Sequence, residues 1–249
     1  WLMGKEALTK GLVNKGADVI KLETTDKELS LINQFTLTPL EKEDVYTFKL
    51  VMCDNDIDRH FERFTDKALD TMAELFVGKP LIKDHNARAD NQIGRIYSTE
   101  VVEGDGLTEI GTQYRQLIAH CYVLNIDSNR KLIADIKGGI KKEVSVGLRI
   151  AKFVCSICGL DNAVSACDHW WGKTYEGEVC HFTLEDPVDA YEVSFVVVPA
   201  QRNAGTTKSV EGDKDTLIEI KEKDFALGLK VKELETFIFI QSENTKEEE

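Results

Sequence analysis

A short stretch rich in Cys and His, set between two strand-like segments, constrains the fold of this chain most. Four of the six Cys residues and two of the five His residues fall within residues 155–181. Residues 144–150 before this stretch alternate apolar and polar side chains, as a half-buried strand does. Residues 192–198 after it are rich in Val and end at Pro199, which predicts a second strand. We therefore expect the Cys/His segment to be a loop that joins two strands.

The Cys and His residues of this loop have the spacing of a closed metal site. Cys155 and Cys158 form a Cys-x2-Cys pair, and Cys167 with His169 adds a third thiolate and an imidazole. Three thiolates and one imidazole are typical of tetrahedral structural zinc. Because four protein ligands leave no open coordination position, the pattern predicts a bound Zn²⁺ with a structural role.

The remaining cysteines leave alternatives open. Cys180 could replace one of the four ligands, and so could the neighbouring His181. Cys53 and Cys121 lie alone in apolar surroundings and are predicted to be buried thiols. We expect no secretory signal peptide, so metal ligation is favoured over disulfide bonds. Iron is the alternative metal, since it also accepts soft ligands.

Composition excludes several classes of partner. The formal net charge of −13 argues against nucleic acid, because phosphate binding depends on Lys and Arg. No apolar run approaches the ~20 residues that span a bilayer, so no membrane association is expected. The length suits one large domain. We predict an N-terminal arm over residues 1–43, a main domain over residues 44–205 with the insertion at 155–181, and a charged C-terminal segment over residues 206–249.

Local patterns predict a mixture of strands and helices. Strands are expected at residues 46–52, 93–97 and 116–124, in addition to the two already described. Thr65 is a good N-cap for a helix whose apolar residues recur at helical spacing until Gly78. Further helices are predicted at residues 5–15 and from Asp127 or Ser128 to Gly138. Because strands and helices do not alternate regularly, we predict an α+β fold with a mainly antiparallel β-barrel core and flanking helices.

Three residues have the types needed for nucleophilic hydrolysis. A Ser hydroxyl needs a base to remove its proton, and a carboxylate on the far ring nitrogen holds the base in position. His85 is the best candidate base, because the other four His residues lie in the Cys/His segment, an apolar strand or an acidic turn. Ser145 and Glu192 lie in the two predicted strands. Gly147 is expected to let the backbone approach a substrate closely.

Several short motifs accompany these residues in a characteristic order. They are Gly78-Lys79-Pro80, Asp84-His85, Ile93-Gly94, Ser145-Val146-Gly147, Glu192-Val193-Ser194, Pro199-Ala200 and Asn203-Ala204. In this order and spacing, over roughly residues 45–205, the chain resembles the prohead maturation proteases of tailed bacteriophages. The Cys/His insertion departs from the pattern of many enzymes of that family.

The resemblance implies a fold related to the herpesvirus assemblin and a serine endopeptidase with His85, Ser145 and an acidic third member. Glu192 fits the third position, and Glu185, Asp186 and Asp189 are near enough in sequence to leave it open. The implied substrates are the scaffold protein and the major capsid protein, cleaved inside the immature capsid in the host cytoplasm. A homodimer is expected by analogy with the herpesvirus enzymes.

Two other functions compete with this hypothesis. The chain could be a non-enzymatic assembly module, in which the zinc loop binds a capsid, scaffold or portal partner. It could also be a metal-dependent hydrolase centred on the Cys/His cluster. The closed ligand set disfavours the second alternative, since it leaves no position for a catalytic water.

Overall fold

The computed structural model describes residues 24–201 and 204–206. The helix predicted at residues 5–15 and the charged segment beyond residue 206 lie outside them. The helices are α1 (Asp26–Ile32), α2 (Asp66–Phe76) and α3 (Arg130–Lys137). The strands are β1 (Val45–Asp54), β2 (Glu62–Phe64), β3 (Pro80–Lys83), β4 (Gly94–Leu107), β5 (Gln113–Leu124), β6 (Val144–Cys155), β7 (Thr174–Tyr175), β8 (Glu178–Val179), β9 (Phe182–Phe195) and β10 (Gly205–Thr206).

Eight of these strands form one mixed sheet. Its order is β10-β1-β5-β4-β3-β9-β2, and β6 pairs with the other edge of β9. Strands β7 and β8 form a separate hairpin within the Cys/His segment. The α+β class is confirmed. No helix in the described part of the chain is long and apolar enough to cross a lipid bilayer.

The predicted closed barrel is wrong for the described residues. A single bridge between Glu143 and Gly205 spans the space between β6 and β10, and no continuous ladder joins these two strands. Most strand pairs of the sheet are antiparallel, as predicted, but β2 and β3 both run parallel to β9, so the sheet is mixed. Helix α2 connects these two parallel strands and packs against β9.

Helix α2 begins and ends where its sequence predicts. The Thr65 side chain accepts a hydrogen bond from the Ala68 amide and caps the first turn. Leu69, Met72 and Phe76 are fully buried and belong to the main core. Gly78 then adopts a left-handed conformation with φ of +81°. The buried face of α2 lies against β9, which fixes the position of β3 and of the loop that follows it.

Other boundaries differ from the prediction. Helix α3 begins at Arg130, because residues 127–129 form a 3₁₀ turn first. Strand β9 begins ten residues earlier than predicted, at Phe182, and ends before the exposed Val197 and Val198. Helix α1 was not predicted, although Thr25 and Glu28 form a capping box at its start.

Candidate functional site

The sheet brings the three hydrolytic candidates to neighbouring strands. Strand β9 lies between β3 and β6, so Ser194 pairs with Ile82 on one side and with Ser145 on the other. Glu192, two residues earlier on β9, pairs with Gly147. His85 follows β3 directly. Because side chains at positions i and i+2 and at paired positions share a face of a sheet, Ser145 and Glu192 lie on the same face.

The closest contact in this site joins His85 and Glu192. The ring nitrogen Nδ1 of His85 lies 2.7 Å from Oε1 of Glu192. The Glu192 side chain is only 10% exposed, whereas that of His85 is 46% exposed. When Nδ1–H donates to the carboxylate, Nε2 is the nitrogen that remains for proton transfer. The geometry thus presents an oriented imidazole to solvent with its carboxylate behind it.

The carboxylate of Glu192 lies in a poorly solvated position. Its second oxygen, Oε2, is buried and has no hydrogen-bond partner among the residues that the structure describes. Burial raises the pKa of Glu192, and the hydrogen bond and charge of His85 oppose that shift only in part. The carboxylate is therefore held mainly by His85, and the two side chains depend on each other.

Gly147 provides the space for this carboxylate. A Cβ atom at Gly147 would collide with Oε1 of Glu192, the same oxygen that contacts His85. The close approach of a substrate at Gly147 stays a prediction. Its missing side chain is also what lets Glu192 reach His85 across the strand.

Two serines lie side by side at the site, and they differ in burial. Ser145 is half-buried, whereas Ser194 is fully buried. The Ser194 hydroxyl accepts a hydrogen bond from the backbone N–H of His85 at 2.8 Å. Ser145 is therefore the serine with access for a substrate, and Ser194 supports the His85 backbone. The sequence carries a signal for Ser194, since it stands two residues after Glu192 and shares its face of the strand.

Of the four acidic candidates for the third position, Glu192 is the one that contacts His85. Asp186 pairs with Lys152 at 2.6 Å, and Asp189 lies 3.5 Å from Lys79. Glu185 lies opposite Lys152 in the β6–β9 ladder. A second His–carboxylate pair exists between His120 and Glu100 at 2.9 Å, and Ser98 lies opposite His120 in the ladder of β4 and β5. A His–carboxylate pair beside a serine therefore does not by itself identify a catalytic site. The two pairs differ in burial, because the carboxylate is the buried partner in the His85–Glu192 pair, whereas the imidazole is the more buried partner in the His120–Glu100 pair.

The four predicted metal ligands come together at the far end of β6. One ligand atom from each of Cys155, Cys158, Cys167 and His169 lies within 4.8 Å of all the others, so the cluster can hold a metal ion. Nδ1 of His169 is buried and has no hydrogen-bond partner within residues 24–201 and 204–206. A buried imidazole nitrogen that lacks a hydrogen-bond partner is consistent with metal ligation, because a bound metal ion would supply the missing partner.

The loop backbone supports this ligand set. Gly159 adopts φ of +71°, and its N–H donates to the carbonyl oxygen of Cys155 at 2.9 Å, which closes the turn after Cys158. The side chain of Asn162 donates to the Cys167 thiol at 3.5 Å. Burial works against ionisation of that thiol, but hydrogen bonds from Asn162 and His169 outweigh it and lower the pKa of Cys167 to about 6. A thiolate is the form that binds metal.

The alternative ligand Cys180 lies beside the cluster. Its sulfur is buried and lies 3.9 Å from that of Cys155, but Cys180 does not belong to the mutually close set of four. Burial and the neighbouring thiols raise the pKa of Cys180 to about 12, which favours the neutral thiol. His181 donates its backbone N–H to the Ser156 hydroxyl at the base of the loop.

The metal cluster and the serine site lie at opposite ends of one hairpin. Strand β6 runs from Val144 to Cys155, and its rise of ~3.3 Å per residue places Ser145 and Cys155 about 30 Å apart along the strand. Metal chemistry at the cluster would therefore not involve His85 or Ser145.

No family model, no curated protein and no solved structure matches the chain. The function is therefore inferred from the geometry and chemistry of these residues.

Proposed function

We propose that the protein is a serine endopeptidase with Ser145 as nucleophile, His85 as general base and Glu192 as the acid that orients it. The observation that carries the proposal is the 2.7 Å contact between His85 Nδ1 and the buried carboxylate of Glu192, with a half-buried Ser on the adjoining strand. Each member has the role that serine hydrolysis requires.

The proposed reaction follows from these positions. His85 Nε2 takes the Ser145 hydroxyl proton as Oγ attacks the scissile carbonyl carbon, and Glu192 stabilises the resulting imidazolium. The imidazolium then protonates the leaving amine, which breaks the peptide bond and leaves an acyl group on Ser145. A water molecule, deprotonated by His85, hydrolyses that ester. Backbone N–H groups would stabilise each oxyanion, at about 3 kcal/mol per donor.

The biological substrate belongs to the same proposal. The ordered motifs from Gly78 to Ala204 support membership of the phage prohead proteases. The fold would then be related to that of the herpesvirus assemblin, with an open sheet in this chain. The substrates would then be the scaffold and major capsid proteins within the immature capsid, and the enzyme would act as a homodimer. A half-exposed base at the surface is compatible with a protein substrate, since an extended chain can reach it.

We assign the metal as Zn²⁺ with a structural role. Three thiolates and an imidazole match zinc, and a full set of protein ligands leaves no place for a reactive water. When bound, the ion would hold Cys155 at the end of β6 against the loop of Cys158, Cys167 and His169.

The test is co-expression of the chain with its capsid precursor, followed by intact-mass analysis. Ser145→Ala should abolish the fragments and leave the thermal unfolding midpoint nearly unchanged. Ser98→Ala, a half-buried Ser on β4, is the matched control and should leave the fragments intact. Identical fragments from the wild type and Ser145→Ala would remove Ser145 as the nucleophile.

The assembly module remains the competing proposal, and one observation favours it. Val164 and Trp170 in the metal loop are 85% and 58% exposed, which suits contact with a partner. Absence of fragments from the wild type, together with co-purification of the precursor, would favour this alternative over the protease.

A further inference from the structure

The loop that carries His85 has an unusual backbone. Asp84 and His85 are consecutive non-glycine residues in the left-handed region, with φ of 54° and 48°. This conformation is unfavourable for an L-residue, because it brings Cβ too close to the following carbonyl oxygen. Such residues persist only where their surroundings hold them, and they concentrate at functional sites. Contacts around Asp84 and His85 must therefore hold this turn in its left-handed conformation.

Strand β9 holds the turn on one side. The N–H of Asp84 donates to the carbonyl oxygen of Phe195 at 3.0 Å, which continues the parallel pairing of β3 with β9. The N–H of His85 has no backbone partner there and donates instead to the Ser194 hydroxyl at 2.8 Å. Ser194 is fully buried, and its own proton points to the carbonyl oxygen of Phe195 at 3.4 Å.

Asn91 holds the turn on the other side. Its side-chain amide donates to the carbonyl oxygen of Lys83 at 2.7 Å and to that of Asn86 at 2.9 Å, so it bridges the residues before and after the left-handed pair. The backbone N–H of Asn86 also donates to Lys83 at 3.1 Å. Asp84 and His85 are thus enclosed by hydrogen bonds from β9 and from the 3₁₀ turn Ala89–Asn91.

We infer that Ser194 and Asn91 are positioning residues that keep the turn at Asp84 and His85 left-handed, and so deliver the His85 ring to Glu192. Their geometric role does not depend on the proposed function, but their effect on catalysis rests on it. Without the Ser194 hydroxyl, the His85 amide would lose its acceptor, and relaxation of φ toward the common negative range would swing the ring away from Glu192.

The experiment compares Ser194→Ala and Asn91→Ala with two matched controls. Ser98→Ala removes a half-buried strand hydroxyl on β4. Asn125→Ala removes a side-chain amide that also donates to a backbone carbonyl, that of Glu43, outside the site. Ser194→Cys is a further variant, since it keeps the connectivity of the side chain with a larger sulfur atom and weakens the acceptor.

The first readout needs no substrate. Proton and ¹⁵N NMR of the full chain should detect the Nδ1 proton of His85 as a hydrogen-bonded, downfield signal in the wild type and in both controls. We expect this signal to be lost in Ser194→Ala and Asn91→Ala, and weakened in Ser194→Cys. Retention of the signal in all of these site variants would overturn the inference.

The second readout is cleavage of the capsid precursor. We expect kcat to fall by roughly 10- to 100-fold in Ser194→Ala and Asn91→Ala, with KM nearly unchanged, because the base is misplaced and the substrate surface is intact. Unchanged kcat in both would also contradict the inference. If the wild type cleaves nothing but its NMR signal responds as expected, the positioning role stands and the protease proposal fails. If Ser194→Ala does not fold, Asn91→Ala and Ser194→Cys still decide between these outcomes.

Discussion

At the scale of single residues, the site depends on one oxygen atom that has two neighbours. Oε1 of Glu192 contacts His85, and it also occupies the space that a side chain at Gly147 would fill. The second oxygen of the same carboxylate is buried and has no hydrogen-bond partner in the described part of the chain. A small change at Glu192 or Gly147 should therefore shift the His85 imidazole, even where the rest of the sheet is unaffected.

Gly147→Ala should slow cleavage by the proposed protease, because it displaces Glu192. The new Cβ would push the carboxylate from His85, and a shift of about 1 Å in a catalytic group costs up to ~100-fold in rate. We expect overcrowding to cost a further 1–3 kcal/mol or so of stability. Precursor cleavage and urea unfolding measure both effects. Gly138→Ala, at the end of α3, is the control, and equal losses in both variants would contradict this account.

Glu192→Gln should lower the cleavage activity and raise the stability at pH 7. Burial raises the pKa of Glu192 in the folded chain above its value in the unfolded chain. The protonated side chain therefore contributes stability below the unfolded pKa, and that contribution is lost as the pH rises through the folded pKa. The Gln variant should thus gain stability relative to the wild type at pH 7, and the gain should shrink toward pH 4. Activity should fall by about 10²- to 10⁴-fold.

Urea unfolding at several pH values and precursor cleavage test this prediction. Glu185→Gln, on the same strand, is the matched control and should retain activity. A stability gain of Glu192→Gln that grows as the pH falls would contradict the sign derived from burial.

At the scale of secondary-structure elements, the β6–β9 hairpin connects two separate sites. Its open end carries Ser145 and Glu192, and its closed end carries the metal ligands. Phe182, at the start of β9, packs with Trp171 and pairs with Cys155, so the metal loop has its own small core. This separation predicts that metal affects one end of the hairpin more than the other.

Removal of the metal should loosen the loop and leave the serine site largely intact. After treatment with a chelator, hydrogen exchange should accelerate over residues 155–181, because the thiolates lose their common partner and repel one another. Amides at residues 190–195 should stay protected, and cleavage should continue at a reduced level. Complete loss of cleavage with an unchanged exchange pattern would instead point to metal-dependent catalysis.

Two cysteine variants provide the matched comparison for this prediction. Cys158→Ser removes a member of the ligand set and should reduce the bound metal to well below one ion per chain. Cys180→Ser removes the neighbouring thiol and should leave the metal content unchanged. Equal metal loss in the two variants would place Cys180 among the ligands.

At the scale of the whole molecule, one main core links helices α2 and α3 to the sheet. Strands β1, β4, β5, β6 and β9 all contribute to it. Helix α1 packs separately through Ile32 on Tyr97 and Tyr122, and the Tyr97 hydroxyl donates to Glu28. The main core reaches from the serine site toward the metal loop, so the described domain should unfold as one cooperative unit while metal is bound.

Met72→Ala tests this cooperativity. The side chain is fully buried in α2, and its truncation should cost about 2–5 kcal/mol. In a Trp1→Phe background, fluorescence reports Trp170 and Trp171 in the metal loop, and far-UV circular dichroism reports the whole sheet. Both urea transitions should move to lower concentration together, whereas Glu74→Ala on the exposed face of α2 should move neither. If the circular dichroism transition moves and the fluorescence transition does not, the metal loop unfolds independently.

The features that can be predicted from the sequence depend on near neighbours along the chain. These are helix α2 with its Thr65 cap, the existence of strand β6, the α+β class and the Cys-x2-Cys spacing of the metal ligands. The strict alternation predicted for β6 is interrupted by two register shifts in its ladder with β9. The capping box of α1, at Thr25 and Glu28, is a local signal of the same kind. In each case a few residues satisfy their own hydrogen bonds or bury one face, so the pattern is visible locally.

Which residues meet across the sheet depends on the tertiary packing. The His85–Glu192 contact joins residues 107 positions apart, and it forms because β3 pairs in parallel with the part of β9 that carries Glu192. The same register brings Gly147 against Glu192 and gives Ser194 its role at His85. It also leaves the sheet open where a barrel was expected. A strand's own sequence limits which face is buried, but its partner and register depend on the packing of every other element.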